Sequence, residues 1–388
     1  MPSEPAPKLF QPIKVGDMTL AHRVVLAPLT RFRADAAHVH GDLAVEYYTQ
    51  RASVPGTLLI TEATFISANA GGFAHVPGMW NEAQVAAWKR VTDAVHAKGS
   101  YIYVQLWALG RASDSEELQK EDTSFEYVAA SDIQLTGKPT APRPLTEEGT
   151  FRYPNLGNPA DAKKKLKEIK EYIQAYGTAA SNAVHGAGFD GVEVHGANGY
   201  LPDQFLQDVS NNRTDKYGGS IENRARFLFE ILAAVTAKIG AKKTGLRLSP
   251  WSEIQDMRME DPVPTFTYVV SRIAELYPDL AYIHFVEPWV SGTTDRTVRE
   301  GETNDYFRKI WAPRPVISAG GYTREHALDA ADKKGDLIAF GRAYISNPDL
   351  PLRLRRNIPL VQYDRSTVYI PEAPKGYIDY PFADAAAL

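Results

Sequence analysis

The stretch GVEVHGANGY at residues 191–200 determines how the rest of the chain is interpreted. Its first four residues are a short, largely apolar run typical of a buried strand, and the loop that follows carries a histidine, an amide and a phenol. His195 and Asn198 can both donate a hydrogen bond to one oxygen atom, and Tyr200 holds a proton at neutral pH because the ordinary pKa of tyrosine is about 10. The stretch predicts a strand that presents a polarising site with an acid beside it, although each residue alone would also suit a strand end or a surface contact.

Eight short runs of this kind lie along the chain, and longer patterns with helical spacing separate them. They are residues 24–27, 57–61, 101–106, 191–194, 244–248, 281–285, 316–319 and 337–341. Strands that alternate with crossover helices form parallel sheets, and eight such units close into a barrel. We therefore expect an α/β fold, a single (β/α)8 TIM barrel with long capping loops at the C-terminal mouth.

Capping residues locate two of the intervening helices. One begins at Asn81, with Gln84 three residues later, and ends at Gly99. Another begins near Ser220 and ends at Gly240. Each carries apolar residues at helical spacing, so one face of each is expected to pack on the barrel.

Two long polar insertions, residues 111–160 and 251–264, follow the third and fifth predicted strands. Barrels carry such loops at the mouth, so we expect both there, with an inert or disordered excursion as the alternative. The tail at 363–388 is aromatic and is expected to pack on the barrel. Because barrels of this length form one domain, residues 1–388 are predicted to be a single domain.

The composition excludes several classes of protein. The 43 basic and 47 acidic residues leave a net charge of only -4, and no basic run alternates with stacking aromatics, so no nucleic-acid partner is expected. The chain has no cysteine, which rules out disulfides and thiolate chemistry. No signal sequence opens the chain and no run reaches about 18 apolar residues, so we expect no membrane association and a cytoplasmic location.

Polar residues inside or just after the predicted strands are candidate site residues, because barrel enzymes carry their chemistry at the carboxyl ends of strands. Gln105 and Arg247 lie within apolar runs, where each needs a polar counterpart such as a bound ring system. His38 and His40 have alternate spacing that could bind a metal, but they lie in a polar loop. We expect those two histidines to face solvent, and we predict no metal site.

Small residues follow the last two predicted strands, where many barrels bind phosphate. Gly320, Gly321 and Gly341 would let backbone N–H groups approach an anion, and Arg342 can bind two phosphate oxygens at once. We predict a phosphate site here, with ordinary turns and a surface arginine as the alternative.

Five long motifs resemble those of the old yellow enzyme family of FMN-dependent ene reductases, and the likeness covers nearly the whole chain. They are APLTR at 27–31, EYYTQR at 46–51, VQLW at 104–107, HGANGY at 195–200 and NRTDKYGGSIENR at 212–224. Thr30 stands where the thermophilic branch carries cysteine, so the chain resembles the classical branch.

The resemblance implies a barrel that binds FMN non-covalently. Thr30 would bind the flavin O4, Gln105 the pyrimidine edge, and Arg247 would lie near N1 and O2, where negative charge collects on reduction. The resemblance assigns the rest of the cofactor site to Pro28, Ala63, Gly320, Gly321, Gly341 and Arg342.

The same resemblance implies the substrate site. His195 and Asn198 match the pair that binds the substrate's carbonyl oxygen, and Tyr200 matches the proton donor. Trp107 and Tyr377 are expected to line the pocket.

The implied activity is the ping-pong reduction of the activated C=C bond of an α,β-unsaturated carbonyl compound. NADPH or NADH reduces FMN, and the alkene then receives hydride from flavin N5 at Cβ and a proton from Tyr200 at Cα. Three alternatives stay open: a dedicated secondary-metabolism reductase or isomerase acting on one biosynthetic enal, a metal-dependent hydrolase with Glu193 and His195 as ligands, and a non-catalytic flavin-binding protein. Both a monomer and a homodimer are compatible with the fold.

Overall fold

Eight parallel strands form a closed barrel in the structure, a computed structural model that describes residues 6–147, 149–150, 165–166 and 168–384. The strands of these described ranges are, in chain order, β1 (Ile13–Val15), β2 (Met18–Leu20), β3 (Val24–Leu26), β4 (Leu58–Phe65), β5 (Tyr101–Trp107), β6 (Val128–Ala129), β7 (Arg143–Pro144), β8 (Gly149–Thr150), β9 (Lys165–Leu166), β10 (Gly191–His195), β11 (Thr244–Leu248), β12 (Tyr282–Val286), β13 (Val290–Ser291), β14 (Thr294–Asp295), β15 (Val316–Ala319) and β16 (Leu337–Phe340). The barrel order is β3-β4-β5-β10-β11-β12-β15-β16, with β16 paired to β3. The predicted (β/α)8 barrel is thereby confirmed.

Helices of the described ranges connect the strands. They are α1 (Asp42–Arg51), α2 (Glu82–His96), α3 (Ser115–Glu121), α4 (Glu168–Ser181), α5 (Leu201–Leu206), α6 (Ile221–Ile239), α7 (Val263–Leu276), α8 (Asp305–Trp311), α9 (Arg324–Lys334), α10 (Arg342–Ser346) and α11 (Leu350–Arg356). None of them is both long enough and apolar enough to cross a membrane.

Side-chain caps begin α2 and α6, as the sequence predicts. Asn81 and Gln84 form a reciprocal capping box at the start of α2. The Ser220 side chain accepts a hydrogen bond from the backbone N–H of Asn223, and α6 ends at Gly240. Such caps satisfy N–H groups that have no partner within the helix.

Strand β4 runs four residues beyond its predicted end at residue 61. Its register against β5 shifts between Ile60 and Ala63, which places Ala63 opposite Gln105. The polar residues Thr61, Glu62 and Thr64 are buried within this extension. The apolar pattern ends at these residues, but their side chains form hydrogen bonds inside the fold, so strand pairing continues past them.

The two insertions contact each other through a buried arginine. Arg111 donates a hydrogen bond from Nη2 to the backbone oxygen of Gln255 at 2.8 Å. The first insertion includes α3, and the second ends where α7 begins at Val263. Residues 148 and 151–160 of the first insertion lie outside the described residues.

The tail is held by Arg33 over its described part, residues 363–384. The Arg33 guanidinium donates hydrogen bonds of 2.7–3.0 Å to backbone oxygens of Thr367, Val368, Ala373 and Lys375. Arg33 is only 2% exposed, so water cannot replace these bonds while the tail stays in place. The arginine therefore ties the chain after β3 to the carboxyl-terminal segment.

His38 and His40 are buried, which corrects the expectation that they face solvent. The Nε2 of His40 lies 3.3 Å from the Oε1 of Glu62, and its ring packs edge-on against Trp88. His38 places its Nε2 3.0 Å from Glu121 of α3. The surrounding loop is polar in sequence, but Glu62 and α3 come from elsewhere in the chain and cover it.

We expect Arg33→Met to lower the free energy of unfolding by about 3 kcal/mol, because buried carbonyl oxygens lose charge-assisted hydrogen bonds. Urea denaturation measures the change, and limited proteolysis should show earlier cleavage within 363–384. The control is Arg90→Met, which removes an exposed ion pair with Asp42 and should cost under about 1 kcal/mol. Equal losses in the two variants would contradict the role given to Arg33.

Candidate active site

The loop after β10 is held in an unusual conformation by hydrogen bonds. Asn198 adopts a left-handed backbone with φ of 58°, which asparagine tolerates better than most residues. Its N–H donates to Ser249 Oγ at 2.7 Å, and its carbonyl oxygen accepts from Gln255 Nε2 at 2.9 Å. The next N–H, of Gly199, donates to the buried carboxyl of Asp203 at 2.9 Å. These contacts fix the direction of the Asn198 side chain.

Three rings converge at the ends of β5 and β10. Tyr200 packs edge-on against Trp107, with ring centroids 4.8 Å apart. The centroid of the His195 ring is also 4.8 Å from that of Tyr200, and it lies 6.4 Å from Trp107 in a nearly parallel arrangement. The structure therefore brings together the histidine, the phenol and the tryptophan that the sequence singles out.

Burial determines the protonation of both titratable groups. It lowers the pKa of His195 well below its ordinary value, and the neighbouring Arg247 and His284 lower it further, so the ring is neutral at pH 7. Burial raises the pKa of Tyr200 to about 12, so the phenol keeps its proton. The site thus holds a neutral hydrogen-bonding imidazole beside a protonated acid.

Several buried polar atoms at this mouth have no hydrogen-bond partner within the protein. They are His195 Nδ1, Asn198 Oδ1, Trp107 Nε1 and Arg247 Nε. An unpaired buried polar group costs about 1–3 kcal/mol, so a group left in this state is typical of a ligand site. The cluster is therefore the candidate binding site.

The predicted cofactor residues surround the same mouth. Pro28 and Thr30 follow β3 and are partly exposed. Gln105 is buried on β5 opposite Ala63, and Arg247 is on β11 opposite His195. Their strands are close in the barrel, which is why residues far apart in the chain meet here.

The glycines after β15 and β16 lie close against neighbouring side chains. A Cβ at Gly320 would lie 2.8 Å from atoms of both Glu287 and Trp289, so only glycine fits. Gly321 has a φ of 69°, and a Cβ there would lie 2.5 Å from Arg342 Nη2. A Cβ at Gly341 would lie 3.1 Å from Leu29 Cδ2, a close contact that a small shift of Leu29 would relieve.

Arg342 pairs with Asp295 of β14, with Nη2 and Oδ1 2.8 Å apart. Both side chains are exposed, at 39% and 71%, and an exposed pair is worth about 1 kcal/mol or less. The guanidinium can therefore exchange this partner for a bound anion at little cost.

Tyr377 does not line the mouth, which corrects the sequence-based assignment. It is 0% exposed, and its ring stacks on Tyr47 with centroids 4.1 Å apart. Tyr369, from the same tail, is half exposed, packs edge-on against Phe32 and contributes to the raised pKa of Tyr200. Tyr369 is therefore the tail aromatic beside the site. The sequence shows only that the tail is aromatic, because nothing local to Tyr369 points to a strand end so distant in the chain.

The metal-dependent hydrolase with Glu193 and His195 as ligands lacks a ligand set in the part of the chain that the structure describes. Glu193 and His195 are both on β10, but the two carboxylate oxygens of Glu193 accept hydrogen bonds from Gln105 and His284. No group of three or more histidine, aspartate or glutamate side chains converges suitably within the described ranges.

Known proteins resemble this chain over nearly its whole length. The model of the NADH:flavin oxidoreductase / NADH oxidase family matches residues 8–361. A chanoclavine-I aldehyde reductase of Penicillium roqueforti is 50% identical over 381 residues, which cover 97% of this chain and 96% of that relative.

Solved structures match over almost the whole length. Morphinone reductase is 38% identical with a TM-score of 0.85, covering 99% of this chain and 98% of its own. The old yellow enzyme homologue of Zymomonas mobilis is also 38% identical with a TM-score of 0.85, covering 97% and 99%.

We expect the His195 imidazole to be neutral at pH 6.5 and above, because burial lowers its pKa well below the ordinary value of 6.5. Histidine NMR resonances, assigned with a His195→Gln variant, provide the measurement. His96 is an internal control, since its hydrogen bond to Asp190 raises its pKa above 6.5. A His195 midpoint near 6.5 would contradict the electrostatics described.

Proposed function

We propose a reaction for this chain, starting from the premise that it belongs to the NADH:flavin oxidoreductase / NADH oxidase family. The old yellow enzyme family expected from the motifs is thereby confirmed. The chain is an FMN-dependent oxidoreductase that takes its electrons from NAD(P)H. The reaction is the reduction of the activated C=C bond of an α,β-unsaturated carbonyl compound.

The residues at the mouth suit FMN. Gln105 and Arg247 offer an amide and a cation to a polar ring, and the unpartnered Nε of Arg247 supports that use. Thr30, Pro28 and Ala63 would border the ring, while Gly320, Gly321, Gly341 and Arg342 would hold the phosphate. Bound FMN would supply the hydride to the alkene, and NADPH or NADH would then reduce the oxidised flavin again.

His195 and Asn198 bind the substrate's carbonyl oxygen. His195 Nδ1 has no partner within the protein, and the NH2 group of Asn198 is the donor that this amide presents to the oxygen. The loop holds the Asn198 backbone in place. Negative charge develops on that oxygen as the alkene is reduced, so prearranged donors stabilise the transition state more than the ground state. Because His195 is neutral, it stabilises this charge through a hydrogen bond and not as a cation.

Tyr200 donates the proton to the carbon α to the carbonyl. Its raised pKa of about 12 keeps the phenol protonated until that carbon becomes strongly basic. The observation that carries the proposal is the placement of His195 at the end of β10 with Asn198 and Tyr200 directly after it, at the barrel mouth. A non-catalytic flavin-binding protein has no need of this arrangement.

The natural substrate is proposed to be a biosynthetic α,β-unsaturated aldehyde. The Penicillium relative is named for reducing an aldehyde of a single compound, and it matches this chain over nearly its full length. Rearrangement of such an aldehyde is the second candidate activity. The proton donor Tyr200 favours reduction, and the ratio of reduced to rearranged product distinguishes the two.

We extend the proposal to the domain organisation, location and partners of the protein. Residues 1–388 form one FMN-binding domain, the protein acts in the cytoplasm as a monomer or homodimer, and its partner is a small molecule. Gel filtration with light scattering measures the oligomeric state.

We expect Tyr200→Phe to reduce alkene turnover about 100-fold or more while flavin reduction by NADPH proceeds at the normal rate, because only the acid is lost. Stopped-flow absorbance separates the two half-reactions. The matched control is Tyr377→Phe, which removes a buried hydroxyl that has no partner and should leave turnover intact. Unchanged turnover in Tyr200→Phe would remove that residue from the reaction.

Arg342→Ala should weaken FMN retention by about tenfold, since a phosphate contact with a guanidinium is a charge-assisted hydrogen bond. Flavin fluorescence released on dialysis measures this. Arg365→Ala, in the tail, is the control for loss of a positive charge. Equal retention by the Arg342 variant and the unaltered protein would contradict the phosphate assignment.

A further inference from the structure

Glu193 is a fully enclosed carboxylate inside the barrel, two residues before His195 on β10. A carboxylate is almost never buried completely unless it is paired, because removing its charge from water is costly. The reaction proposed above gives this residue no task. Its contacts therefore need an explanation of their own.

Each oxygen of Glu193 accepts one hydrogen bond. Gln105 on the neighbouring strand β5 donates from Nε2 to Oε1 at 2.7 Å. His284 on β12 donates from Nδ1 to Oε2 at 2.9 Å. All three side chains are enclosed, so the carboxylate joins strands β5, β10 and β12 within the barrel.

The carboxylate also balances a nearby cation. Burial alone would raise the pKa of Glu193, but His284, Arg247 and the Gln105 amide outweigh it, so the pKa lies below its ordinary value and the group is ionised. Burial lowers the pKa of Arg247, and the charge of Glu193 opposes that change. The two charges stabilise each other inside the barrel.

Ionised Glu193 accepts hydrogen bonds but cannot donate one, and this limits the orientation of Gln105. An amide can place either its NH2 group or its oxygen toward a neighbour. Against a carboxylate only the NH2 orientation is favourable, so the amide oxygen of Gln105 turns away from Glu193. A ring N–H can then donate to that oxygen.

We propose that Glu193 is a positioning residue of the cofactor site, which holds the Gln105 amide in one orientation and balances the charge of Arg247. This inference rests on the FMN assignment made above. Glu193 does not touch the substrate, and it acts through the two side chains that border the ring.

The test is Glu193→Gln in the FMN-loaded protein. A glutamine can donate as well as accept, so it no longer fixes the Gln105 amide, and we expect the FMN dissociation constant to rise about tenfold. Loss of the negative charge favours reduced, negatively charged FMN, so we expect the reduction potential to rise by about 30 mV, a tenfold change in the two-electron equilibrium. FMN fluorescence and a spectroscopic redox titration measure the two values.

Two further variants show how the effect arises. In a Gln105→Ala background, adding Glu193→Gln should change FMN affinity less than twofold, because residues acting as a unit are not additive. Asp349→Asn removes another buried carboxylate, paired with Arg353 at 2.7 Å, and should lower the melting temperature without altering FMN affinity or potential. A merely structural role for Glu193 would make its variant behave like Asp349→Asn.

The outcomes separate the inference from the proposed function. If Glu193→Gln has the FMN affinity and potential of the unaltered protein, or if its effect on affinity is undiminished without Gln105, the inference is overturned. If the unaltered protein binds no FMN, the proposed function fails instead. Should Glu193→Gln not fold, His284→Leu removes one partner of the carboxylate and should weaken FMN binding at least threefold, and equal binding would again overturn the inference.

Discussion

The closure of eight parallel strands into one barrel is the constraint on which the rest of the molecule depends. All strands of the barrel run in the same direction, so their carboxyl ends meet at one mouth. The register places Glu193 opposite Gln105 and His195 opposite Arg247. A slip of one residue in β10 would turn both of its polar side chains to the other face of the sheet, and the site would be lost.

Polar side chains within the barrel form two groups, which differ in whether other protein groups satisfy their hydrogen bonds. Deeper inside, Glu193 has a partner for each oxygen, and its charge is balanced by Arg247. At the mouth, His195, Asn198 and Arg247 each keep a buried polar atom without a partner. Unpaired atoms cost stability, so the protein is less stable at the mouth than a packed apolar site would make it. The bound cofactor and substrate offset that cost.

The sequence predicts whatever depends on local patterns. Periodic apolar runs predict the barrel strands, and the capping residues Asn81 and Ser220 predict where two helices begin. Sequence patterns do not predict the burial of a side chain when its partners come from segments distant in the chain. The burial of His40 depends on Glu62, and the enclosure of Tyr377 depends on Tyr47. The partners of Glu193 come from two other strands, so no pattern around residue 193 could have revealed them.

The most direct test of the central claim is an absorbance titration of the FMN-loaded protein with a phenol. A phenolate oxygen would take the place of the substrate oxygen between His195 and Asn198, with its electron-rich ring over the flavin. The account predicts a saturable long-wavelength charge-transfer band that disappears in a His195→Ala, Asn198→Ala double variant that still retains FMN. The absence of a saturable band from the unaltered protein, or a band of equal strength and affinity in the double variant, would contradict it.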